Sequence, residues 1–182
     1  APGEPAPDAV RSPGAGAAEA AIARLVTLPG VGRRTAEVLV AEVGLDMSRF
    51  RTARHLASWA GLCPGNHESA GKRRSGRTRK GSRWLRAALI QAAHAAARTK
   101  DTYFAAQYRR LAQRRGKKRA AVAVGHSLLS CAYALLRDGT VYREPGADYF
   151  VRRDPDARTQ RLVRSLEQLG HKVILQPADP AA

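Results

Sequence analysis

The sequence has 182 residues, of which 32 are Lys or Arg and 15 are Asp or Glu, so its formal net charge is +17. This length allows one domain of ordinary size with tails, and the charge favours a polyanion such as nucleic acid as the partner. No apolar run approaches the roughly 20 residues of a membrane-spanning helix. The two cysteines, Cys63 and Cys131, form no Cys-x-x-Cys pair, which excludes a disulfide framework or a four-cysteine zinc site and favours a reducing, cytoplasmic compartment beside the nucleoid.

The positive charge is confined to one stretch of the chain. Residues 69–137 contain 18 Lys or Arg and a single acid, Asp101, whereas the other 113 residues contain 14 bases and 14 acids. A solvated charged face normally mixes both signs. The stretch therefore indicates contact with nucleic acid.

The N-terminal part is predicted to contain a linker followed by two helices. Residues 1–17 are rich in Pro, Gly and Ala and predict a disordered linker. Apolar residues at helical spacing then predict helices over 18–27 and 33–43. Leu28-Pro29-Gly30-Val31-Gly32 interrupts them, because Pro29 cannot continue a helix.

This interruption resembles the helix-hairpin-helix motif of proteins that bind DNA without reading its sequence, over residues 18–44. Two glycines permit a tight turn, after which the first amides of the second helix can hold a phosphate. Val31 is expected to point into the core. The alternative is a simple Pro-Gly turn between packed helices. Such a site contacts phosphates rather than bases, so it supplies affinity without sequence choice.

The rest of the core is predicted to be helical. Helices are expected over 52–60, with Thr52 as N-cap and Trp59 buried, and over 83–99, with Ser82 as N-cap and Trp84 in the apolar stripe. Two more follow over 102–114 and 117–137. Residues 138–182 are expected to form an appendage with a helix over 157–169 and a strand over 172–175. The fold class is therefore all-α, a compact multi-helix domain over residues 18–137.

The segment from Gly61 to Gly81 is predicted to be a long irregular loop with a functional role. Ser69 lies in it between Glu68 and a Gly-Lys-Arg-Arg series. A serine hydroxyl is a weak nucleophile unless a base removes its proton and cations stabilise the charge that develops on phosphorus. His67 and Glu68 are candidates for the base, but on composition alone a plain phosphate-binding loop is favoured over a catalytic one.

Several blocks of the sequence together resemble the C-terminal transposase domain of the IS110 family. They are Leu28-Pro-Gly-Val-Gly, Phe50, Leu56-Ala-Ser-Trp-Ala-Gly-Leu-Cys-Pro, Glu68-Ser-Ala-Gly-Lys and Thr78-Arg-Lys-Gly-Ser-Arg-Trp-Leu-Arg. The resemblance implies chemistry like that of serine recombinases, with Ser69 as the nucleophile that attacks a DNA phosphodiester. Members of the family often have Ser-Gly-Gly-Lys where this chain has Ser69-Ala70-Gly71-Lys72.

The resemblance also implies parts that these residues do not supply. The family joins this domain to an N-terminal RuvC-like domain with four metal-binding carboxylates, so a divalent ion such as Mg²⁺ is expected only there and no cofactor is expected in this chain. A guide RNA and a homo-oligomer of the full-length protein are further expected partners. The chain is therefore interpreted as the C-terminal part of a transposase or as the remnant of a broken gene, inactive by itself.

These observations predict a double-stranded-DNA-binding transposase domain that supplies a serine nucleophile for strand cleavage and exchange. The alternative is a catalytically inert helix-hairpin-helix module that only binds nucleic acid. An Arg/Lys cluster between residues 109 and 119 is also interpreted as a nucleic-acid contact. The predicted site residues are Ser69 for catalysis and, for DNA phosphates, Gly30, Val31, Gly32, Arg33, Arg34, Lys72, Arg73, Arg74, Arg77, Lys80 and Arg83.

Overall fold

A computed structural model describes residues 13–65 and 67–176. Its helices are α1 Pro13–Val26, α2 Arg33–Val43, α3 Ala53–Trp59, α4 Arg83–Ala96, α5 Tyr103–Arg115, α6 Lys117–Asp138, α7 Tyr149–Arg152 and α8 Pro155–Gln168, with a 3-10 turn at Met47–Arg49. Two short strands, β1 His67–Ser69 and β2 Lys72–Ser75, form the one sheet of the described residues. The all-α fold class is confirmed, and this small hairpin is an addition to it.

The core is organised around α6, which packs against α3, α4 and α5. Val124, Leu128 and Leu129 of α6 are fully buried, as are Leu89 of α4 and Phe104 of α5. Gly125 lies where α6 meets α4, and a Cβ there would be in van der Waals contact with the carbonyl oxygen of Leu89 at 3.4 Å. The apolar periodicity of the sequence thus identified most of the core correctly.

One helix of the described residues, α6, is long and apolar enough by length and composition to cross a membrane, and half of that stretch is buried inside the protein. The buried central helix of a soluble domain passes the same test. Basic residues at both ends of α6 limit its uncharged part to fewer than the roughly 20 residues that the sequence-based expectation required.

The predicted N-caps are confirmed. The Thr52 hydroxyl accepts a hydrogen bond from the amide of His55 at 3.3 Å, and the Ser82 hydroxyl accepts one from the amide of Leu85 at 3.2 Å. Each cap satisfies one of the donors that a helix start leaves open. Ser82 thereby sets where α4 begins, directly after residues 61–81, the cationic segment.

Three local predictions about secondary structure are wrong. Residues 13–17 belong to α1 rather than to a linker, and the rest of the predicted linker, 1–12, lies outside the described residues. The segment 61–81 is not irregular throughout, because it contains the β1–β2 hairpin. Residues 172–175 form no strand, since the pattern there has no partner strand to pair with.

Both tryptophans were predicted to be buried and are not. Trp59 is 46% exposed and Trp84 is 63% exposed. α4 buries Leu85, Leu89, Ala92, Ala93 and Ala96, which share one face of the helix, and Trp84 precedes that face by one residue. One helical position is a turn of about 100°, so the indole of Trp84 faces away from the core.

Candidate nucleic-acid interface

The two ends of the cationic segment lie side by side at the start of α4. Gly61 has φ +70°, and a Cβ on it would lie 2.7 Å from the carbonyl oxygen of Arg79 and 2.9 Å from the amide nitrogen of Gly81. The amide of Gly65 donates a hydrogen bond to the carbonyl of Arg77 at 2.8 Å. Backbone contacts this close are open only to glycine, so the segment leaves the domain and returns to it at one place.

Arg86 of α4 holds this junction. Its guanidinium donates hydrogen bonds to the carbonyl oxygen of Gly61 at 3.0 Å and to the hydroxyl of Thr78 at 2.7 Å. Arg86 is only partly exposed, whereas Lys80 and Arg83 on either side of the junction are exposed. Arg86 therefore has a structural role, which is to hold the two ends of the segment together. Sequence reasoning missed it, because its charge is indistinguishable from those of its neighbours along the chain.

Between these ends the chain forms an antiparallel hairpin with a two-residue turn, Ala70-Gly71. Both turn residues have positive φ, 51° for Ala70 and 72° for Gly71, as a hairpin turn of the right twist requires. Alanine in this region costs about 1 kcal/mol relative to glycine. The departure from the Ser-Gly-Gly-Lys pattern therefore falls at a position that glycine would occupy without strain.

The register places Ser69 directly opposite Lys72. Residues paired in this way project to the same face of a hairpin with their Cβ atoms about 5 Å apart. Both side chains are exposed. The hairpin thus presents a hydroxyl and an ammonium group together to solvent at the end of a cationic segment.

The other predicted cations of this segment fall into two groups. Arg73 and Arg74 lie in β2, where the backbone of Arg73 pairs with that of Glu68. Arg77, Lys80 and Arg83 are exposed along the return to α4. Lys72, Lys80 and Arg83 take part in no ion pair within the described residues, so their charge can meet an external anion.

The second predicted phosphate site is the turn between α1 and α2. Val31 is buried, as predicted, and its amide donates a hydrogen bond to the carbonyl of Leu28 at 3.0 Å. Gly30 has φ +81°, and a Cβ on it would overlap the backbone of Ala92 and lie 2.9 Å from the Cα of Ala96. Gly30 is therefore required for packing against α4. That the turn is a DNA-binding helix-hairpin-helix stays a prediction.

Gly32 is the residue of this turn that faces open space. It is the N-cap of α2 with φ −83° and ψ 170°, no side chain caps the helix, and no atom lies within 4 Å of the position of a Cβ. The first amides of α2 are thus accessible to an anion, and the helix dipole favours negative charge there.

The two arginines after Gly32 differ. Arg33 forms a two-point ion pair with Glu19 at 2.7 and 2.9 Å and a further hydrogen bond with Glu37 at 3.0 Å. Hydrogen bonding to Glu19, before any other cause, raises the pKa of Arg33 above its ordinary value. Its guanidinium joins α1 to α2, so a phosphate would have to compete with two carboxylates. Arg34 is exposed and has no ion pair within the described residues.

An exposed aromatic ring accompanies these cations. The guanidinium carbon of Arg83 lies 4.7 Å from the centroid of the Trp84 ring, a cation–π contact. Because Ser82 caps α4, this pair is held at the first turn of the helix, next to the returning cationic segment. A large exposed indole with one guanidinium neighbour is a platform on which a nucleobase can stack.

A metal site requires several ligand side chains close together. Within residues 13–65 and 67–176 no group of three or more His, Cys, Asp or Glu lies close enough together to hold a metal ion. The divalent ion that the family resemblance implies is expected in the RuvC-like domain, and that expectation stays a prediction.

Comparison with known proteins matches the region that contains both predicted sites. Residues 22–109 match the model of the transposase IS116/IS110/IS902 family. A Pseudomonas aeruginosa protein described as a probable family 20 transposase is 36% identical over 132 residues, which is 70% of this chain and 38% of the relative. The uncharacterized 43.6 kDa protein of insertion element IS110 from Streptomyces coelicolor is 38% identical over 120 residues, 65% of this chain and 29% of its own length.

A third relative has a different description. The pilin gene-inverting protein of Moraxella bovis is 34% identical over 116 residues, 62% of this chain and 36% of that protein. The chain thus spans about a third of the length of the curated relatives it matches. Family model and relatives agree, and the hairpin with Ser69, the Gly30 turn and Trp84 all lie within the matched residues: the chain belongs to the IS116/IS110/IS902 transposase family.

Proposed function

We propose that this chain is the part of an insertion-sequence transposase that binds DNA and supplies the serine nucleophile for strand cleavage and exchange. The observation that carries the proposal is the pairing of exposed Ser69 with exposed Lys72 at the end of a cationic hairpin, within a transposase domain. The description of the Moraxella relative as a gene-inverting protein supports recombination as the type of reaction.

In the proposed step the Ser69 hydroxyl oxygen attacks a phosphodiester of one DNA strand. A bond forms between this oxygen and phosphorus, and the bond from phosphorus to one deoxyribose oxygen breaks. The serine proton passes to a base, for which His67 and Glu68 are the candidates in the same strand, and the leaving oxygen takes up a proton. Attack on the phosphoserine by the hydroxyl of another strand end reverses these changes and releases Ser69.

The cations stabilise the charge of this step. Lys72 lies opposite Ser69, so its ammonium can contact a non-bridging oxygen of the attacked phosphate. One such donor contributes about 10²–10³ in rate when water is excluded. Arg73, Arg74, Arg77, Lys80 and Arg83 extend the cationic surface along the strands, and the family resemblance adds a guide RNA and a homo-oligomer as partners of the whole protein.

The turn at Gly32 is proposed to hold a DNA phosphate, and Gly32→Asp tests it. An aspartate at this N-cap position keeps or slightly raises the stability of α2, because Asp is a preferred N-cap. The same carboxylate repels a phosphate from the amides of α2. We expect Kd for duplex DNA to rise about tenfold, a change of about 1.4 kcal/mol, equally for two unrelated sequences. Fluorescence anisotropy at several salt concentrations measures it.

Gly32→Asn is the matched control, since it caps the helix without adding charge. Its Kd should stay within about threefold of the unsubstituted chain, because asparagine adds no charge that repels a phosphate from the helix start. An unchanged Kd for Gly32→Asp would show that the turn only joins two packed helices.

Trp84 is proposed to stack on an unpaired base, and its fluorescence tests this. The chain has two tryptophans, so Trp59→Phe leaves Trp84 as the single reporter. We expect single-stranded DNA to quench the tryptophan fluorescence of this variant strongly. Replacing Trp84 with Ala should weaken binding of single-stranded DNA by about 1–3 kcal/mol. Trp84→Phe, with Trp59 as the reporter, should show little quenching, because the Trp59 ring already contacts Phe50 at 5.7 Å. Equal quenching of both tryptophans would contradict a specific role for Trp84.

A further inference from the structure

A cleft lined by arginines lies between α5 and the C-terminal helices. Its volume is about 450 Å³, and Arg109 and Arg110 of α5 face Arg158 and Arg161 of α8 across it. No carboxylate is among its lining residues. Gathering four like charges is unfavourable unless an anion is bound between them.

The geometry of these arginines leaves donors for a ligand. The Nε of Arg161 donates to the carbonyl of Ala157 at 2.8 Å, and the Nε of Arg109 donates to the carbonyl of Ala105 at 3.4 Å. These bonds orient the side chains and leave the terminal guanidinium nitrogens for other partners. None of the four arginines takes part in an ion pair within the described residues.

Three acids of the same segment have partners of their own, and neither they nor Asp156 line the cleft. Asp148 pairs with Arg152 at 2.7 Å, and Asp154 caps α8 by accepting a hydrogen bond from the amide of Ala157 at 3.1 Å. The carboxylate of Glu144 accepts hydrogen bonds from the amides of Tyr103, at 2.7 Å, and Gly146. The cleft therefore keeps its positive charge.

The C-terminal segment is docked on α5 by aromatic contacts. Tyr142 stacks on the buried ring of Phe104 at 5.6 Å, and Phe150 stacks on Tyr103 at 5.0 Å with 24° between the planes. With Glu144 on the first amide of α5, these contacts place α7 and the start of α8 beside Arg109 and Arg110. Two halves of the cleft, about 50 residues apart in sequence, are thereby brought together.

Phosphate is the ligand that fits these groups. The guanidinium fork grips phosphate oxygens at two points, and arginines from two helices can hold neighbouring phosphates of one strand. The ring of Phe150 contacts Tyr103 and, at 5.1 Å, the guanidinium of Arg110, so it is occupied rather than open to a base. The cleft therefore offers cationic contacts to the backbone rather than an open ring on which a base could stack.

We propose that this cleft is a second nucleic-acid site, which binds the phosphodiester backbone of a DNA or RNA strand. The inference rests on the proposed function, because it takes nucleic acid as the partner. DNA and RNA share the phosphodiester chemistry. The segment that contributes α7 and α8 lies outside the residues that the family model matches.

The test compares two double variants of the whole chain that lose the same charge. Arg158→Gln with Arg161→Gln removes the α8 side of the cleft. Arg153→Gln with Arg164→Gln is the control, because both residues are exposed, lie in the same segment and do not line the cleft. Anisotropy with duplex DNA and with an RNA hairpin, over a range of salt, gives Kd and its salt slope. Helix content by circular dichroism checks that both variants fold.

We expect the cleft variant to bind at least about tenfold more weakly than the control in one of the two arms, and its salt slope to fall by nearly 2, at about 0.9 per phosphate contact. The arm that responds identifies the strand as DNA or RNA. Equal weakening of both variants, or no effect of either, overturns the cleft while leaving DNA binding intact. A chain that binds neither nucleic acid overturns the proposed function and the cleft with it.

Discussion

Replacing Ser69 with alanine is expected to abolish the covalent protein–DNA adduct and to lower strand cleavage at least about a thousandfold, since alanine has no oxygen with which to attack phosphorus. Because the chain spans about a third of its relatives, the assay uses the chain joined to the RuvC-like domain that the resemblance implies, with RNA present. The adduct is measured as a shifted, DNA-labelled protein band on a denaturing gel.

Ser75→Ala is the matched control, a second serine of the same hairpin whose backbone pairs with His67. It should form the adduct at the normal rate. DNA affinity of the Ser69→Ala variant should stay within about twofold, because one exposed neutral hydroxyl contributes little next to the cations. This separation distinguishes a lost nucleophile from a lost binding site.

Two results would change the interpretation. An adduct that persists in the Ser69→Ala variant would mean that another side chain is the nucleophile. If neither form makes an adduct with both the RuvC-like domain and RNA present, the chain is a binding module without catalytic function.

Gly30→Ala is expected to be the most destabilising single-methyl substitution in the turn between α1 and α2. Alanine at φ +81° costs about 1–2 kcal/mol in the backbone alone. The added Cβ would also overlap the backbone of Ala92 and Ala96, which cannot move without shifting α4. We expect a loss of about 3 kcal/mol or more in the free energy of unfolding, which lowers Tm by roughly 6–12 °C in a chain of this size.

Gly32→Ala is its control, two residues away in the same turn. Its backbone is extended and the position of its Cβ is open, so the change should stay within about 0.5 kcal/mol. Thermal unfolding followed by circular dichroism measures both. Equal destabilisation by the two variants would show that the turn does not pack against α4 as described.

Much of the fold could be predicted from the sequence because it depends on neighbours along the chain. The helices follow the 3.6-residue spacing of apolar side chains, and Thr52 and Ser82 cap their helices through amides three residues away. Such interactions need only local sequence. The hairpin escaped prediction because Ala70 takes a conformation that alanine seldom adopts, although Gly71 after it is a turn signal.

The positions of functional groups were harder to predict, because they depend on contacts between distant residues. Arg86 and Arg83 look alike in sequence, yet the first holds the backbone of Gly61 and the second is exposed beside Trp84. The sequence predicts Trp84 in the core because it is adjacent to Leu85, and apolar spacing alone does not show which of the two faces inward. The burial of one helical face decides between them, and that depends on where α4 meets α6.

The sequence by itself determined the helical class, the confinement of the charge to residues 69–137 and the resemblance to a transposase family, because composition, periodicity and motif order are properties of the chain. Only the tertiary structure decided that Ser69 faces Lys72, that Gly30 serves packing while Gly32 is open, and that arginines of α5 and α8 share a cleft. The first depends on the backbone conformation of the Ala70-Gly71 turn, and the other two on the burial of apolar faces of elements far apart in sequence.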